Sequence, residues 1–274
     1  MTSPLQGTAP DVIEGRCRRC DVVHALHFDP APAVAALSSW WTELQAPTTE
    51  TTSHLATRLK QAGGHKMLAV LIGRDRSGAT HELRAFSGDL LGHGDVEGCA
   101  PSIIRREDTA ALERETLRVV AELTTRIEAG DGPEVAALRR RRREASRLLM
   151  AAMIDATRVG TRGGLRVPLR AAFCGGDDGA KIPSGTADCA LPKVLHAAFA
   201  ADLEVVSVAE ASWAPGVIVG ERAHGRLASP CLSRCVPIVG TMLCPLTTLP
   251  TTTLTTMMTT TTTTARGTAD EVVP

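Results

Sequence analysis

The chain has 274 residues, of which 43% are hydrophobic, 22% are charged and only 3% are aromatic. Thirty basic residues balance thirty acidic ones, so no overall charge attracts the chain to nucleic acid or to a membrane surface. The sequence contains neither the roughly 18 uninterrupted apolar residues of a membrane span nor the apolar run of a signal peptide near its start. We therefore expect an intracellular, cytoplasmic protein whose eight cysteines are reduced thiols or metal ligands.

The first half of the sequence predicts a helix followed by a β-hairpin. Residues 1–26 are expected to be weakly ordered, and residues 27–106 to form an α/β part. Within this part, apolar residues at helical spacing predict a helix from Asp29 to Leu44, and a threonine-rich loop is expected at 46–53. The apolar run at 66–73 and the segment at 81–86, separated by a turn, predict the hairpin.

The second half predicts a pair of helices and then a second α/β part. Helices are expected at 107–129 and 134–158, broken by Gly-Asp-Gly-Pro, and together they form a helical hairpin over 107–158. Residues 159–246 are expected to hold a loop, a helix at 190–201, an apolar strand from Leu203 and a cysteine cluster. The Thr-rich segment at 247–274 predicts disorder. The predicted fold class is mixed α/β (α+β): a small sheet with flanking helices and an inserted antiparallel helical hairpin.

Several stretches, in order, carry a family resemblance. They are HFDPAP at 27–32, KMLAVL at 66–71, LRAFSGDL at 83–90, the basic segment at 139–149, PSGTADCALPKVLH at 183–196, AEASW at 209–213 and SPCLSRCVPIV at 229–239. Together they resemble the N-terminal region of larger RluA-type RNA pseudouridine synthases. In that family a catalytic domain with a His-Arg-Leu-Asp string follows, and this string is missing here. The resemblance implies a non-catalytic accessory or RNA-associated module that works in RNA modification, with a separate pseudouridine synthase domain as partner.

Three cysteines form the candidate metal site. Cys231 and Cys235 are four residues apart, so both thiolates would share one face of a helix. Cys189 stands at the start of a predicted helix, where the helix dipole favours a thiolate. These three could bind zinc, with water, His224 or Cys174 as the fourth ligand. The alternative is that they are small buried residues with no ion.

The same cysteines resemble the pattern of zinc deaminases, which is His-x-Glu or Cys-x-Glu followed by Pro-Cys-x-x-Cys. Here Leu191 stands where the proton-carrying glutamate belongs, and the second cysteine pair has one extra residue between its members. The alternative function is a zinc-dependent deaminase-like enzyme. Because the glutamate is missing from the pattern, we expect such a scaffold to be inactive. The pair Cys17 and Cys20 lacks a second pair at the usual distance and is interpreted as a chance spacing.

Arginines on the second helix of the predicted pair are the candidate RNA-binding residues: Arg139, Arg140, Arg142, Arg143 and Arg147. The alternative is a solvated helix face paired with Glu134 and Glu144. A third function remains open, in which the helical pair at 107–158 serves a structural or partner-binding protein.

Overall fold

The computed structural model describes residues 5–90, 95–104, 109–130, 132–177, 179–217, 219–220 and 223–248. The threonine-rich segment predicted to be disordered lies almost entirely outside these residues. Within the described part, the elements in chain order are β1 (Val12–Arg16), β2 (Val23–His27), α1 (Ala31–Gln45), α2 (Glu50–Ala62), β3 (Lys66–Arg74), β4 (Thr80–Phe86), α3 (Ala110–Ala129), α4 (Pro133–Ala156), β5 (Arg158–Gly160), β6 (Arg166–Pro168), α5 (Leu169–Cys174), α6 (Ala190–Ala200), β7 (Glu204–Trp213) and α7 (Val236–Met242).

The centre of the fold is a three-stranded sheet in the order β4-β3-β7, with β3 antiparallel to both neighbours. Helices cover both faces, which explains why β3 is a nearly continuous apolar run. Leu68 and Val70 pack in one core with α1 and α2, whereas Ala69 and Leu71 pack in a second core with α6 and α7. The predicted mixed α/β class is confirmed.

The helix predicted from Asp29 is confirmed as α1. Its buried stripe includes Leu37, Trp40 and Trp41, and truncating a buried Trp to Ala costs about 3–5 kcal/mol. The loop expected at 46–53 is wrong in its second half, because α2 begins at Glu50. Thr49 and Thr52 form a reciprocal capping box there, so threonines that indicated a loop instead begin a helix.

The expectation of weak order before residue 27 needs correction. Strands β1 and β2 pair antiparallel, with Val12 opposite His27 and Arg16 opposite Val23. Ile13 is buried in the core that contains α6 and α7. Packing against the rest of the protein, rather than local propensity, therefore orders this segment.

The helical pair α3 and α4 is present, and the two helices contact each other. Much of its surface is polar or exposed: Leu117 and Leu148 are 56% and 65% accessible. The segment at 159–186, expected to be a loop, contains the short strands β5 and β6 and the helix α5. Among the described residues, no helix combines the length and the apolar character that crossing a bilayer requires.

Candidate metal centre

Cys189 is positioned by the turn that enters α6. It is the N-cap residue of this helix, with extended backbone (φ −73°, ψ 158°) and no side-chain capping bond, so its thiol is not engaged with the helix backbone. Just before it, Gly185 and Ala187 adopt positive φ angles of 74° and 72°. The Thr186 hydroxyl donates to the carbonyl of Pro183 at 2.7 Å and closes this turn.

A buried ion pair fixes the same turn to the central sheet. Lys193 Nζ lies 2.8 Å from Asp188 Oδ1, and the Lys193 side chain is only 1% accessible. Lys193 Nζ also donates to the carbonyl oxygens of Phe86 and Gly88 at 3.1 and 2.7 Å. Asp188 therefore faces Lys193 and the end of β4, so the carboxylate next to Cys189 in sequence is already paired.

Cys231 and Cys235 lie in a turn just before α7, not on a helix as the spacing predicted. The backbone N–H of Cys235 donates to the carbonyl of Cys231 at 3.1 Å, which forms one helix-like turn. The two thiols therefore still lie side by side. Their Sγ atoms are 3.3 Å apart. The Sγ atoms of Cys189, Cys231 and Cys235 all lie within 4.8 Å of one another, so the structure brings the three predicted ligands together.

The pKa values of the three thiols are shifted in different directions. Hydrogen bonds from Cys189 and Cys235 hold the pKa of Cys231 well below its usual range. The bond to Cys231 raises the pKa of Cys189 to about 12. The pKa of Cys235 is also raised, by its bonds to Cys189 and Cys231 and by burial. Thiolate is the form of cysteine that binds metals.

Glu210 places a carboxyl group beside this cluster, and the sequence did not identify it. It lies on β7 and is fully buried, and its Oε1 accepts the backbone N–H of Leu191 at 3.0 Å. It interacts electrostatically with all three cysteines of the cluster. Burial raises the pKa of Glu210 to about 8.

Glu210 therefore brings a carboxyl group to the backbone of Leu191, the position at which the deaminase pattern has its glutamate. A small cavity of about 10 Å³ adjoins Glu210 and is lined in part by Leu191, Val208 and Pro230. That volume accommodates about one water molecule. The signal available in the sequence was a charged residue inside the otherwise apolar strand that ends at Trp213.

The two protein side chains suggested as a fourth ligand lie elsewhere. His224 packs against Trp41 and Trp213, with ring centroids 4.8 and 5.1 Å away, and its Nδ1 accepts the N–H of Ala214. The thiol of Cys174 donates to the carbonyl of Arg170 at 3.1 Å. Among the described residues, Cys189, Cys231 and Cys235 therefore form a three-ligand group, and Cys231 is its most exposed member.

Cys17 and Cys20, interpreted from the sequence as a chance pair, lie beside two further side chains that can bind a metal. Their Sγ atoms lie within 4.8 Å of a ligand atom of His24 and of Cys244. All eight cysteines fall within the described residues and are free thiols.

The predicted RNA-binding arginines are all on α4. Arg139, Arg140, Arg143 and Arg147 are exposed, and at 3.6 residues per turn they lie within an arc of about 100°. Arg142 turns towards α3, where its Nη1 donates to Thr124 Oγ1 at 3.3 Å. Four of the five arginines thus share one face of the helix.

Comparison with known proteins found no matching family model, no similar curated protein and no similar solved structure.

Proposed function

We propose that Cys189, Cys231 and Cys235 hold a zinc ion and that this centre performs a hydrolytic, deaminase-type reaction on a nucleobase. The observation that carries the proposal is Glu210, a buried carboxyl group that bonds to the backbone of Leu191 and interacts electrostatically with all three thiols. Zinc deaminases use the same combination, two or three cysteine ligands and a glutamate that is not a ligand.

The parts of the centre suit this chemistry. Zinc held by three protein ligands would keep a fourth position for water and would lower the pKa of that water. Glu210, in its ionised form, would accept a proton from this water and pass it to the departing amine, so that water and the ring carbon that bears the amino group yield a carbonyl group and ammonia.

Access to the centre is from the Cys231 side. Cys231 is the most exposed of the three ligands, and the adjacent Leu232 is 84% accessible. Glu210 is buried and lines the cavity that has room for about one water molecule.

Ammonia release from cytidine, adenosine and single-stranded oligonucleotides by the zinc-loaded full chain tests the proposal. Glu210→Gln should lower turnover by about 10²–10⁴-fold and keep its zinc, because only the proton carrier is lost. Glu204→Gln, at the exposed start of the same strand, is the matched control and should remain active. No ammonia from the zinc-loaded protein, or equal activity in Glu210→Gln, would contradict the proposal.

A second candidate function is association with RNA, as the resemblance to pseudouridine synthases implies. The observation that favours it is the exposed face of Arg139, Arg140, Arg143 and Arg147, none of which forms an ion pair with a described residue. By contrast, Arg118 on α3 is paired with Glu115 and Glu122. Unpaired arginines on one face can neutralise successive phosphates.

Binding of a fluorescent single-stranded RNA at several salt concentrations tests this candidate. Replacing the four arginines of the face by Gln should reduce the slope of log affinity against log salt by about 3, since each phosphate contact contributes about 0.7. The matched control replaces four other exposed arginines by Gln: Arg74, Arg114, Arg162 and Arg226. An unchanged slope in the α4 variant, or equal losses in both variants, would rule out this face.

A further inference from the structure

The second cluster joins the N-terminal hairpin to the end of α7. Ligand atoms of Cys17, Cys20, His24 and Cys244 all lie within 4.8 Å of one another. We propose that these four side chains hold a second zinc ion in a closed structural site. This inference is independent of the proposed function, because it concerns other residues and needs no catalysis.

The turn between β1 and β2 presents the first three ligands. The N–H of Cys17 donates to the carbonyl of Val22 at 2.8 Å, and the N–H of Asp21 donates to the carbonyl of Cys17 at 3.0 Å. Asp21 has a φ of 58°, which lets the chain reverse direction tightly. The N–H of Arg19 points at Cys17 Sγ at 3.4 Å, and Cys20 Sγ lies 3.2 Å from His24 Nε2.

Backbone contact between β1 and α7 brings the fourth ligand to this turn. A Cβ added at Gly15 would lie 2.6 Å from the backbone N of Gly240, so only glycine permits this approach. The N–H of Arg18 also donates to the hydroxyl of Thr241 at 3.2 Å. Cys244 follows two residues after the end of α7 and is fully buried, as is Cys17. The fold therefore holds the four ligands together before any ion binds.

The donor set indicates the ion. Three sulfurs and one imidazole nitrogen at mutual contact form the tetrahedral set of structural zinc sites, in which no position is left for water. Three thiolates and a neutral imidazole around Zn²⁺ leave one negative charge. Arg19, in the same turn, has its guanidinium Nε and Nη1 buried without a hydrogen-bond partner among the described residues, while its Nη2 donates to the carbonyl of Thr248 at 2.7 Å. A partly buried cation in this turn suits an anionic site.

Zinc content of the purified full chain, measured by atomic emission, tests the inference. The wild-type chain should hold two zinc ions per molecule. Cys20→Ser combined with His24→Ala leaves two ligands and should hold one ion fewer, whereas His24→Cys should keep the count, because four cysteines are an equally good zinc set. His27→Ala is the matched control, since His27 is an exposed histidine on the same strand and should leave the count unchanged.

The outcomes separate the two sites. Loss of one ion in the Cys20→Ser, His24→Ala double variant but not in Cys231→Ser supports the closed site and contradicts the proposed function. Loss in Cys231→Ser but not in the double variant overturns the closed site alone. A lower zinc content in His24→Cys also overturns it, because the cysteine supplies a metal ligand at this position.

Discussion

Both cysteine clusters offer sulfur ligands, but they differ in the number of protein ligands and in the ionisable side chain that lies nearby. Cys17, Cys20, His24 and Cys244 form a complete set of four ligands with a partly buried guanidinium in the same turn. Cys189, Cys231 and Cys235 form a set of three with a buried carboxyl group beside it. An extra protein ligand favours a structural site, whereas a missing ligand next to a proton carrier favours reactivity.

The clusters also differ in how they depend on the fold. Three ligands of the four-ligand cluster, called the closed cluster, come from one hairpin, so the hairpin alone preorganises most of the site. The three-cysteine cluster, called the open cluster, depends on the turn before α6, the turn before α7 and a strand between them. We therefore expect changes in the central core to affect the open cluster most.

The largest expected effect is at the buried ion pair that anchors the open cluster. Lys193→Met leaves Asp188 without its nearest cation, and breaking a buried pair in this way costs about 3–5 kcal/mol of unfolding free energy. Urea unfolding measures this loss. Replacing both partners, in Lys193→Met with Asp188→Asn, should recover most of it. A single variant as stable as the wild type would show that α6 does not depend on this pair.

The next effect is a pH dependence located on α6. His196 Nδ1 accepts the N–H of Gly160 at 2.9 Å, and burial, with a contribution from Arg166, lowers the pKa of His196 from 6.5 to about 4. Below pH 6.5 the unfolded chain binds a proton that the folded chain does not. The unfolding free energy should therefore fall between pH 6.5 and 4, by at most about 3 kcal/mol.

His196→Gln isolates this effect, because its side-chain oxygen can accept the same bond and does not titrate. The raised pKa of Glu210 acts in the opposite direction, since its stabilisation is lost as pH rises through about 8. That contribution is common to both proteins and cancels in the comparison. Equal pH profiles for His196→Gln and the wild type would contradict the assignment.

A smaller effect is expected at the contact that supports the closed cluster. In Gly15→Ala the new methyl group meets the backbone of Gly240, and overpacking of this kind costs about 1–3 kcal/mol. The variant should unfold at lower urea and bind zinc more weakly at the closed cluster only. Ala25→Ser, at an exposed position on β2, should behave as the wild type. Loss of zinc from the open cluster instead would show that this contact does not support the closed cluster.

The smallest expected effect is a difference in metal release. Cys231→Ser retains only the closed cluster, and the Cys20→Ser, His24→Ala double variant retains only the open one. Because three protein ligands hold an ion less firmly than four, the open cluster should transfer zinc to a chromogenic chelator about tenfold faster. Equal rates, or faster release from the closed cluster, would show that both sites have the same coordination.

The sequence predicted the parts of this fold whose signals are local. The spacing of apolar residues identifies β3 and α1. The i, i+4 cysteines and the cysteine at the start of a predicted helix identify the three members of the open cluster. Thr49 misled the prediction because a capping threonine and a loop threonine look alike without the backbone.

The other functional residues depend on contacts between distant segments. Glu210 reaches the N–H of Leu191 only because β7 lies beside α6 in the fold. Cys244 meets Cys17 because a glycine on β1 touches a glycine on α7. No spacing rule connects positions so far apart in sequence, so the contacts of these two residues could be found only from the structure.

The most direct test of the account is the zinc X-ray absorption spectrum of the Cys20→Ser, His24→Ala double variant, in which only the open cluster binds an ion. The account predicts three sulfur atoms at about 2.3 Å and one oxygen atom at about 2.0–2.2 Å. Absence of zinc, or a shell of four sulfur or nitrogen ligands, would contradict the claim that Cys189, Cys231 and Cys235 form an open metal centre.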